Sequence, residues 1–376
     1  MKVAIVHYWL VSMRGGEKVV EELCDLYPQA DVFTNAYDPL RISPKINKHQ
    51  VRTTFIGKLP RATRWYKHYL PLIPLALEEL DLRGYDLIIS SESGPAKGIV
   101  PPAEALHVCY CHTPMRYLWN MYHDYREQLG PMKRIAMSLM FHKLRQWDAT
   151  AAQRVDHFVA NSIVVSKRIR KYYRRNATVI YPPVDIDAFD TATSHEDYYL
   201  HVGELVGYKR VDLLIEACNR LKRRLIVVGG GEQFFKLRQM AGETVSVVGH
   251  KSFDELKHYY SHCRALLFAA EEDFGIVPVE AMASGRPVIA YGRGGATESV
   301  VDGVTGVHFP EQTVDSVVDA IKRFESMESS FLTTLIASNA QRFSKDAFKR
   351  RMSAKIEEWR ELSDSQAKPH VFARTG

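Results

Sequence analysis

The apolar positions of the chain form two runs in which short hydrophobic segments alternate with longer helical patterns. Residues 3–6 are a continuous apolar, mostly β-branched run, which predicts a buried strand. Residues 17–26 place apolar side chains three and four apart, which predicts a helix. The remaining segments predicted in the first run are strands at 87–89, 106–111, 158–160 and 178–181 and a helix at 162–173.

The same alternation restarts after a polar, linker-like stretch at 190–197. Predicted strands in this second run lie at 199–202, 224–228, 245–248, 265–269, 287–291 and 306–309. Predicted helices separate them at 211–221, 232–240, 253–261 and from 277 to 283, and three helical segments end the chain.

Alternating strands and helices predict parallel sheets with helices on both faces. Two such runs predict an α/β protein of two doubly wound domains, which suits a length of 376 residues. We predict an N-terminal domain at 1–187, a C-terminal domain at 188–343 and a helical tail at 344–376 that packs back on the N-terminal domain. Ligands of such folds bind outside the carboxyl ends of the strands, so we expect a binding cleft between the domains.

The composition is that of an ordinary globular protein, with 46% hydrophobic and 25% charged residues. No apolar run approaches the roughly 20 residues of a membrane span, and the best candidate, 70–77, is interrupted by Pro71 and Pro74. The five cysteines lack zinc-site spacing, which favours small buried hydrophobes in a reducing cytoplasm. We interpret the N-terminal apolar stretch as a first strand and not as a signal peptide.

The positive charge is concentrated in the first half of the chain. Residues 1–185 carry 26 Lys and Arg against 17 Asp and Glu, and the segment 39–77 carries eight basic residues and no acidic one. Arg61, Arg64, Trp65 and Lys67 combine cations with an amphipathic aromatic, which favours docking on an anionic membrane surface. The alternative is a solvated basic face, and no motif supports nucleic-acid binding.

Residues 270–291 carry the most informative chemistry. Glu272 lies on a loop after a predicted strand, and Glu280 lies in the helix that follows. Between them, the backbone N–H groups of Phe274, Gly275 and Ile276 open the helix and suit phosphate or sugar oxygens. The two carboxylates could bind hydroxyl groups, one on a sugar and one on a ribose. The alternative is that Glu272 caps the helix and Glu280 is a surface residue.

This segment resembles the E-x₇-E motif of family 4 glycosyltransferases, which have the GT-B fold of two facing Rossmann-like domains with a deep interdomain cleft. Similar stretches run from the first strand to about residue 310. They are Gly15–Gly16 as the glycine-rich loop, 109–119 as the histidine loop, 181–185 before the hinge, Lys209 within 207–212, and Gly294–Gly295 with Glu298.

The resemblance implies a role for each matching residue. Lys209 would hold the donor diphosphate as a point cation. Glu280 would bind the ribose, and Glu272 would lie near the donor sugar. His112 would hydrogen-bond the donor sugar near the reacting carbon. The backbone at Phe274, Gly275 and Ile276 would complete the donor site.

Other positions of the pattern stay open. Gly15 and Gly16 would let backbone approach the donor phosphates, or they form a simple tight turn. Arg116 faces an acceptor phosphate or stabilises its loop. Family members usually have an arginine five residues before the phosphate-binding lysine, but this chain has Glu204 there. Arg210 is the candidate substitute for that second cation, and a surface position is its alternative.

As a whole, the resemblance implies a retaining glycosyltransferase, with a nucleotide-sugar donor and neither a metal nor another cofactor. In the family's favoured mechanism the leaving phosphate assists attack on the same face of the sugar. The motifs are most similar to bacterial mannosyltransferases of surface-polysaccharide assembly, so GDP-mannose is the expected donor.

A lipid-linked glycan is the expected acceptor, and the expected location is the inner face of the cytoplasmic membrane. Other polysaccharide-assembly enzymes are further candidate partners. Two alternatives are a nucleotide-sugar epimerase or phosphorylase on the same fold, and a non-catalytic subunit of a polysaccharide-assembly complex.

Overall fold

The computed structural model describes residues 1–127, 129–192 and 194–367. The chain forms two compact units. The first unit comprises Met1–Tyr181 and the C-terminal segment from Phe348, and the second comprises Pro182–Ala347. The sequence-based boundaries were 187/188 and 343/344, and the units divide after Tyr181 and after Ala347.

The sheet of the first unit is parallel throughout, with seven strands among the residues described. The strands are β1 (Val3–His7), β2 (Asp31–Thr34), β3 (Val51–Thr53), β4 (Leu87–Glu92), β5 (Leu106–Cys111), β6 (His157–Ala160) and β7 (Ala177–Val179). Their order is β3-β2-β1-β4-β5-β6-β7. The order reverses between β1 and β4, where the loops after adjacent strands diverge and leave room for a ligand.

Helices cover both faces of this sheet. They are α1 (Gly15–Leu26), α2 (Pro44–Asn47), α3 (Ala62–Trp65), α4 (Ile73–Glu78), α5 (Tyr122–Glu127), α6 (Pro131–Ala151) and α7 (Ile163–Tyr173). In α1 the buried residues Val19, Val20 and Leu23 share one core cluster with Val3 and Ile5 of β1. The three-to-four spacing of the sequence therefore becomes the face that α1 presents to the sheet.

The C-terminal helix, Lys345–Ala367, contributes to the core of the first unit. Phe348, Met352, Ile356 and Trp359 are buried in the same cluster as the residues of α1 and β1. Their spacing of four, four and three residues places them on one side of the helix. Hydrophobic burial therefore holds this segment on the first unit.

The second unit contains another parallel sheet, in which the described residues form six strands. These are β8 (Tyr199–Val202), β9 (Leu225–Val228), β10 (Val245–Gly249), β11 (Ala265–Phe268), β12 (Val288–Tyr291) and β13 (Gly306–Phe309). The order is β10-β9-β8-β11-β12-β13, so the reversal lies between β8 and β11.

The helices of the second unit pack around a core built on the central strands. They are α8 (Val211–Leu221), α9 (Phe234–Met240), α10 (Phe253–His262), α11 (Ile276–Ala283), α12 (Ala296–Ser299), α13 (Val314–Met327) and α14 (Thr333–Ala340). Leu214, Ile215 and Cys218 of α8 are fully buried there. The predicted α/β class with two doubly wound domains is confirmed.

Two strands were not predicted from the sequence. The strands β2 and β3 are four and three residues long, and β3 is only partly buried at the edge of the sheet. The equally short strand β8 was predicted because three of its four residues are apolar, whereas β2 has two apolar residues and β3 has one. Among the described residues, no helix combines the length and the apolar character needed to cross a bilayer.

We expect Met352→Ala to lower the free energy of unfolding of the first unit by about 2–5 kcal/mol, because it leaves a cavity in the core. All five tryptophans, Trp9, Trp65, Trp119, Trp147 and Trp359, lie in this unit, so urea unfolding followed by tryptophan fluorescence reports on it. The control is Leu362→Ala on the same helix, at a side chain that is 50% exposed. Equal stability of the two variants would contradict the packing argument.

Candidate functional site

Gly15 and Gly16, expected as a glycine-rich loop, form the first turn of α1 and lie close to three polar rings. A Cβ atom on Gly16 would lie 3.2 Å from the Tyr8 hydroxyl oxygen, 3.5 Å from His7 Cε1 and 3.6 Å from His112 Nε2. Arg14, before the first turn, donates its backbone N–H to Glu17 Oε2 over 3.0 Å. A side chain at position 16 would therefore crowd the space between the helix start and His112.

His112 directly follows β5 and is held by the end of β4. Its backbone N–H donates to the Glu92 carbonyl over 2.6 Å, and its Nε2 lies 3.0 Å from Ser91 Oγ. Burial, with a smaller contribution from His7, lowers the pKa of His112 to about 3. The ring is therefore neutral near pH 7. It can donate or accept a hydrogen bond with a ligand, but it supplies no positive charge.

His7 at the end of β1 was not singled out from the sequence. It is fully buried, and its Nδ1 donates to the Ser91 carbonyl over 2.9 Å. Its Nε2 lies 3.9 Å from the buried carboxylate of Glu17 and has no hydrogen-bond partner among the described residues. Ser91 therefore contacts His7 through its carbonyl and His112 through its hydroxyl.

A buried charge cluster supports the loop that carries His112 and Arg116. Lys97 Nζ lies 3.2 Å from Glu92 Oε1 and contacts the carboxylate of Asp148, and all three side chains are fully buried. The other oxygen of Asp148 accepts from Trp119 Nε1 over 2.7 Å. Burial raises the pKa of Glu92 to about 7. The cluster thus ties β4 and α6 to the end of the loop.

Arg116 is partly buried within this loop. Its carbonyl accepts the backbone N–H groups of Trp119 and Met121, at 3.3 and 2.8 Å. These bonds close the turn that follows the residue. Its proposed contact with an acceptor phosphate stays a prediction.

In the second unit, the structure brings Lys209 and Glu272 together. Lys209 lies in the turn before α8, and its Nζ is 2.9 Å from Glu272 Oε1 on the segment after β11. The two side chains are 11% and 21% exposed. A largely desolvated cation beside a carboxylate can bind phosphate oxygens as a point charge.

Glu280 is held by a tyrosine of the neighbouring helix. The Tyr260 hydroxyl on α10 donates to Glu280 Oε2 over 2.8 Å. Burial and the adjacent carboxylate raise the pKa of Tyr260 well above its ordinary value. Among the described residues the other carboxylate oxygen of Glu280 has no hydrogen bond, and it can accept one from a ligand hydroxyl.

The segment between Glu272 and Glu280 packs closely against Gly294–Gly295. Gly295 donates its N–H to the Glu272 carbonyl over 2.8 Å, and a Cβ on it would lie 2.3 Å from the Phe274 Cα atom. Gly275 precedes α11 at φ +86°, and Phe274 is buried, whereas Ile276 at the first turn is partly exposed. These contacts fix where the helix α11 begins.

Arg210, the candidate second cation for phosphate binding, forms an ion pair with Asp212. It has φ +51° before α8, and its Nη2 lies 3.2 Å from Asp212 Oδ2. Glu204, at the position where relatives of this pattern place an arginine, is exposed. The role of Arg210 in phosphate binding stays a prediction. Binding a phosphate would require the guanidinium to leave Asp212.

The residues predicted to dock on a membrane lie on the surface of the first unit. Arg61, Arg64, Trp65 and Lys67 are all exposed. The guanidinium carbon of Arg61 lies 5.0 Å from the centre of the Trp65 ring, within cation–π range. Docking itself stays a prediction.

His201 on β8 is a second polar residue that the sequence analysis missed. It is fully buried, its Nδ1 donates to the Leu267 carbonyl over 3.1 Å, and its Nε2 has no hydrogen-bond partner in the described chain. Burial and then Lys209 lower its pKa to about 4. Within the part of the chain described, no group of three His, Cys, Asp or Glu is placed to hold a metal.

Acidification should destabilise the second unit through His201. Its pKa is about 4 when folded and 6.5 as a free side chain. In this window the unfolded chain binds a proton that the folded chain does not, so stability present above about pH 6.5 is lost as the pH falls toward 4.

Between about pH 7 and pH 5, His201 should lower the free energy of unfolding of the native protein by about 2 kcal/mol. We expect this contribution to be absent from His201→Asn. Urea unfolding followed by circular dichroism at both pH values measures it, with the exposed His258→Asn as the control. An unchanged pH dependence in His201→Asn would refute the assignment.

Several curated proteins are similar to this chain. The α-1,3/1,6-mannosyltransferase ALG2 of Mus musculus is 25% identical, over 84% of this chain and 86% of its own. The O-antigen chain mannosyltransferase RfbU of Salmonella typhimurium is 29% identical, over 47% of this chain and 56% of its own. The chain spans about half the length of two other curated relatives that it matches.

Among solved structures, that of Anabaena Alr3699/HepE in complex with UDP has the same fold. It superposes with a TM-score of 0.70 at 19% identity, over 95% of this chain and 100% of the other. This likeness establishes the GT-B fold of two Rossmann-like domains.

Two family profiles match adjoining parts of the sequence. Residues 13–188 match "Glycosyltransferase Family 4", and residues 185–350 match "Glycosyl transferases group 1". Together the matches extend over nearly the whole of both units, which contain the motifs described above. The chain therefore belongs to the family 4 glycosyltransferases of the GT-B fold.

Proposed function

We propose that this glycosyltransferase transfers mannose from GDP-mannose to a lipid-linked glycan, with retention of the anomeric configuration, in polysaccharide or glycolipid biosynthesis. The observation that carries the donor assignment is the desolvated Lys209–Glu272 pair at the carboxyl ends of β8 and β11. Mannose is supported by the names of two relatives, ALG2 and RfbU, both mannosyltransferases.

The ammonium group of Lys209 binds the diphosphate of the donor. In transfer, the bond from the sugar carbon to the phosphate oxygen breaks, and negative charge develops on the leaving nucleoside diphosphate. A cation fixed in a poorly hydrated site stabilises such charge more than one in water. Arg210 adds a second cation when its guanidinium leaves Asp212, and neither a metal nor another cofactor takes part.

Glu280 binds the ribose of the nucleotide, and Glu272 binds the transferred sugar. The hydrogen bond from Tyr260 fixes the Glu280 carboxylate, so little rotamer freedom is lost on binding. The backbone N–H groups of Phe274, Gly275 and Ile276 donate hydrogen bonds to the remaining oxygens of the nucleotide sugar. Binding Glu272 to the sugar requires that its present ion pair with Lys209 loosens.

The first unit supplies His112, the glycine-rich loop and the acceptor contacts. Neutral His112, oriented by Ser91, hydrogen-bonds the donor sugar near the reacting carbon. Gly15 and Gly16 let backbone N–H groups reach the donor phosphates, and Arg116 contacts a phosphate of the acceptor. The acceptor hydroxyl attacks on the face of the departing phosphate and gives its proton to a phosphate oxygen, so no enzymic nucleophile is needed.

If the acceptor is lipid-linked, the basic surface of the first unit would bind the membrane that contains it. Arg61, Arg64 and Lys67 attract anionic headgroups, and Trp65 suits the interface between headgroups and water. The protein would then act on the inner face of the cytoplasmic membrane, beside other polysaccharide-assembly enzymes.

Lys209→Ala should abolish nucleoside diphosphate binding, because it removes the cation that meets the phosphates. Calorimetry with GDP, UDP, ADP and TDP measures this, and the native protein should bind GDP most tightly. Lys236→Ala, at an exposed lysine of the same unit, is the control and should bind GDP as the native protein does. Preference for UDP would replace the guanosine assignment, and undiminished GDP binding by Lys209→Ala would refute the donor site.

Glu272→Gln should separate binding from turnover. The amide no longer pairs electrostatically with Lys209, so a diphosphate binds without first breaking that ion pair. We expect an unchanged or higher affinity for GDP and a loss of mannose transfer of at least about a hundredfold, the usual size for a group that acts in the transition state. Transfer at the native rate would show that Glu272 does not bind the reacting sugar.

A further inference from the structure

The helix α6 exposes a stripe of large apolar side chains on its outer side. Met132, Ile135 and Leu139 are 85%, 66% and 67% exposed. They are three and four residues apart, so they share one face of the helix. Exposed large hydrophobics grouped in this way indicate an interaction surface, whereas single ones do not.

The core does not explain this stripe, because α6 has a separate inward face. Met137, Phe141 and Leu144 are buried and pack with Met115 and Leu118. They lie on the side of the helix opposite to Met132, Ile135 and Leu139. The helix is therefore apolar on two sides, and only one of them is used in folding.

The helix that carries the stripe is itself basic. Residues 131–147 contain Lys133, Arg134, Lys143 and Arg145 and no acidic residue. Lys133 and Lys143 are exposed beside the stripe. Such cations extend their charged ends into water or headgroups while their stems follow the apolar surface.

The segment that follows the docking residues packs against the inward side of α6, opposite to the stripe. Leu70, in the segment that follows Trp65, packs against the cluster formed by Met137 and Phe141. The same segment exposes Leu72 and Leu75. Residues 39–77 carry eight basic and no acidic residues, so the segment packed against α6 is basic as well.

We propose that α6 lies in the interface of an anionic lipid bilayer with Met132, Ile135 and Leu139 inserted among the acyl chains. Lys133 and Lys143 then lie at the level of the lipid phosphates. This inference deepens the docking part of the proposed function and rests on it. It adds an apolar, salt-resistant contribution to the electrostatic attraction of Arg61, Arg64 and Lys67.

Charge favours a bilayer over a second copy of the chain. A symmetric dimer through this face would bring Lys133 and Lys143 of one copy toward the same residues of the other. Like charges at such a contact repel, whereas anionic headgroups neutralise them.

The test compares the binding of three variants to vesicles of phosphatidylglycerol and phosphatidylcholine by co-sedimentation at low and high salt. Met132→Gln, Ile135→Gln and Leu139→Gln are combined in one variant, because glutamine preserves helix propensity. The second variant combines Arg61→Ala, Arg64→Ala and Lys67→Ala. The control is Phe235→Gln, at a side chain of the second unit that is 75% exposed.

We expect the glutamine variant to bind at least about tenfold more weakly at both salt concentrations, because inserted apolar area does not depend on salt. The basic-residue variant should lose binding mainly at low salt, and the control should bind as the native protein does. Native binding by the glutamine variant, with the basic-residue variant impaired, would overturn insertion while docking stands. Absence of binding by the native protein would overturn both, and GDP binding would still test the donor site separately.

A label on the stripe gives an independent readout. The five cysteines, Cys24, Cys109, Cys111, Cys218 and Cys263, are buried. An environment-sensitive fluorophore on Ile135→Cys is therefore selective, and its emission should shift to the blue on anionic vesicles. The same label on Phe235→Cys should not shift. An unshifted Ile135 label on vesicle-bound protein, or a dimer that the glutamine variant dissociates in the absence of lipid, would overturn the proposal.

Discussion

The parallel arrangement of each sheet is the constraint on which the candidate site depends. Parallel strands place all their carboxyl ends at one edge, and each sheet reverses its strand order at a central pair, β1/β4 or β8/β11. In the first unit this edge gathers His7, Ser91 and His112 from three different strands. In the second unit it gathers Lys209 and Glu272, 63 positions apart in the numbering of the chain.

Buried charge lies beside this edge of the sheet in the first unit, at a cost in desolvation. The Lys97, Glu92 and Asp148 side chains are fully buried, and each has a partner. Removing one partner from such a group is more destabilising than the group is stabilising, because the remaining charge is left without compensation. The cluster contacts the loop from His112 to Trp119 at its far end, through the hydrogen bond from Trp119 to Asp148.

The helix α6 contributes to both the interior and the surface of the first unit. Its Asp148 binds Trp119, its Met137 and Phe141 fill a core cluster, and its outer stripe is exposed. A helix in this position connects a surface proposed to bind lipid with the loop proposed to contact the acceptor. Both proposals thus concern the same unit, which carries the excess of positive charge.

The sequence by itself determined the α/β class and the two runs of strands, because periodicity is a local property of a chain. Lys209, Glu272 and Glu280 were selected by the resemblance of their motifs to a family, and their roles stay predictions. The sequence did not predict β2 or β3, whose two and one apolar residues form no recognisable apolar run. Only the tertiary structure decided that Ser91 contacts both His7 and His112, that Arg210 pairs with Asp212, and that His201 is buried near Lys209. It also decided which apolar side of α6 is covered. These features depend on contacts between segments far apart in the chain or on side-chain rotamers, and neither is encoded in a local pattern of polar and apolar residues.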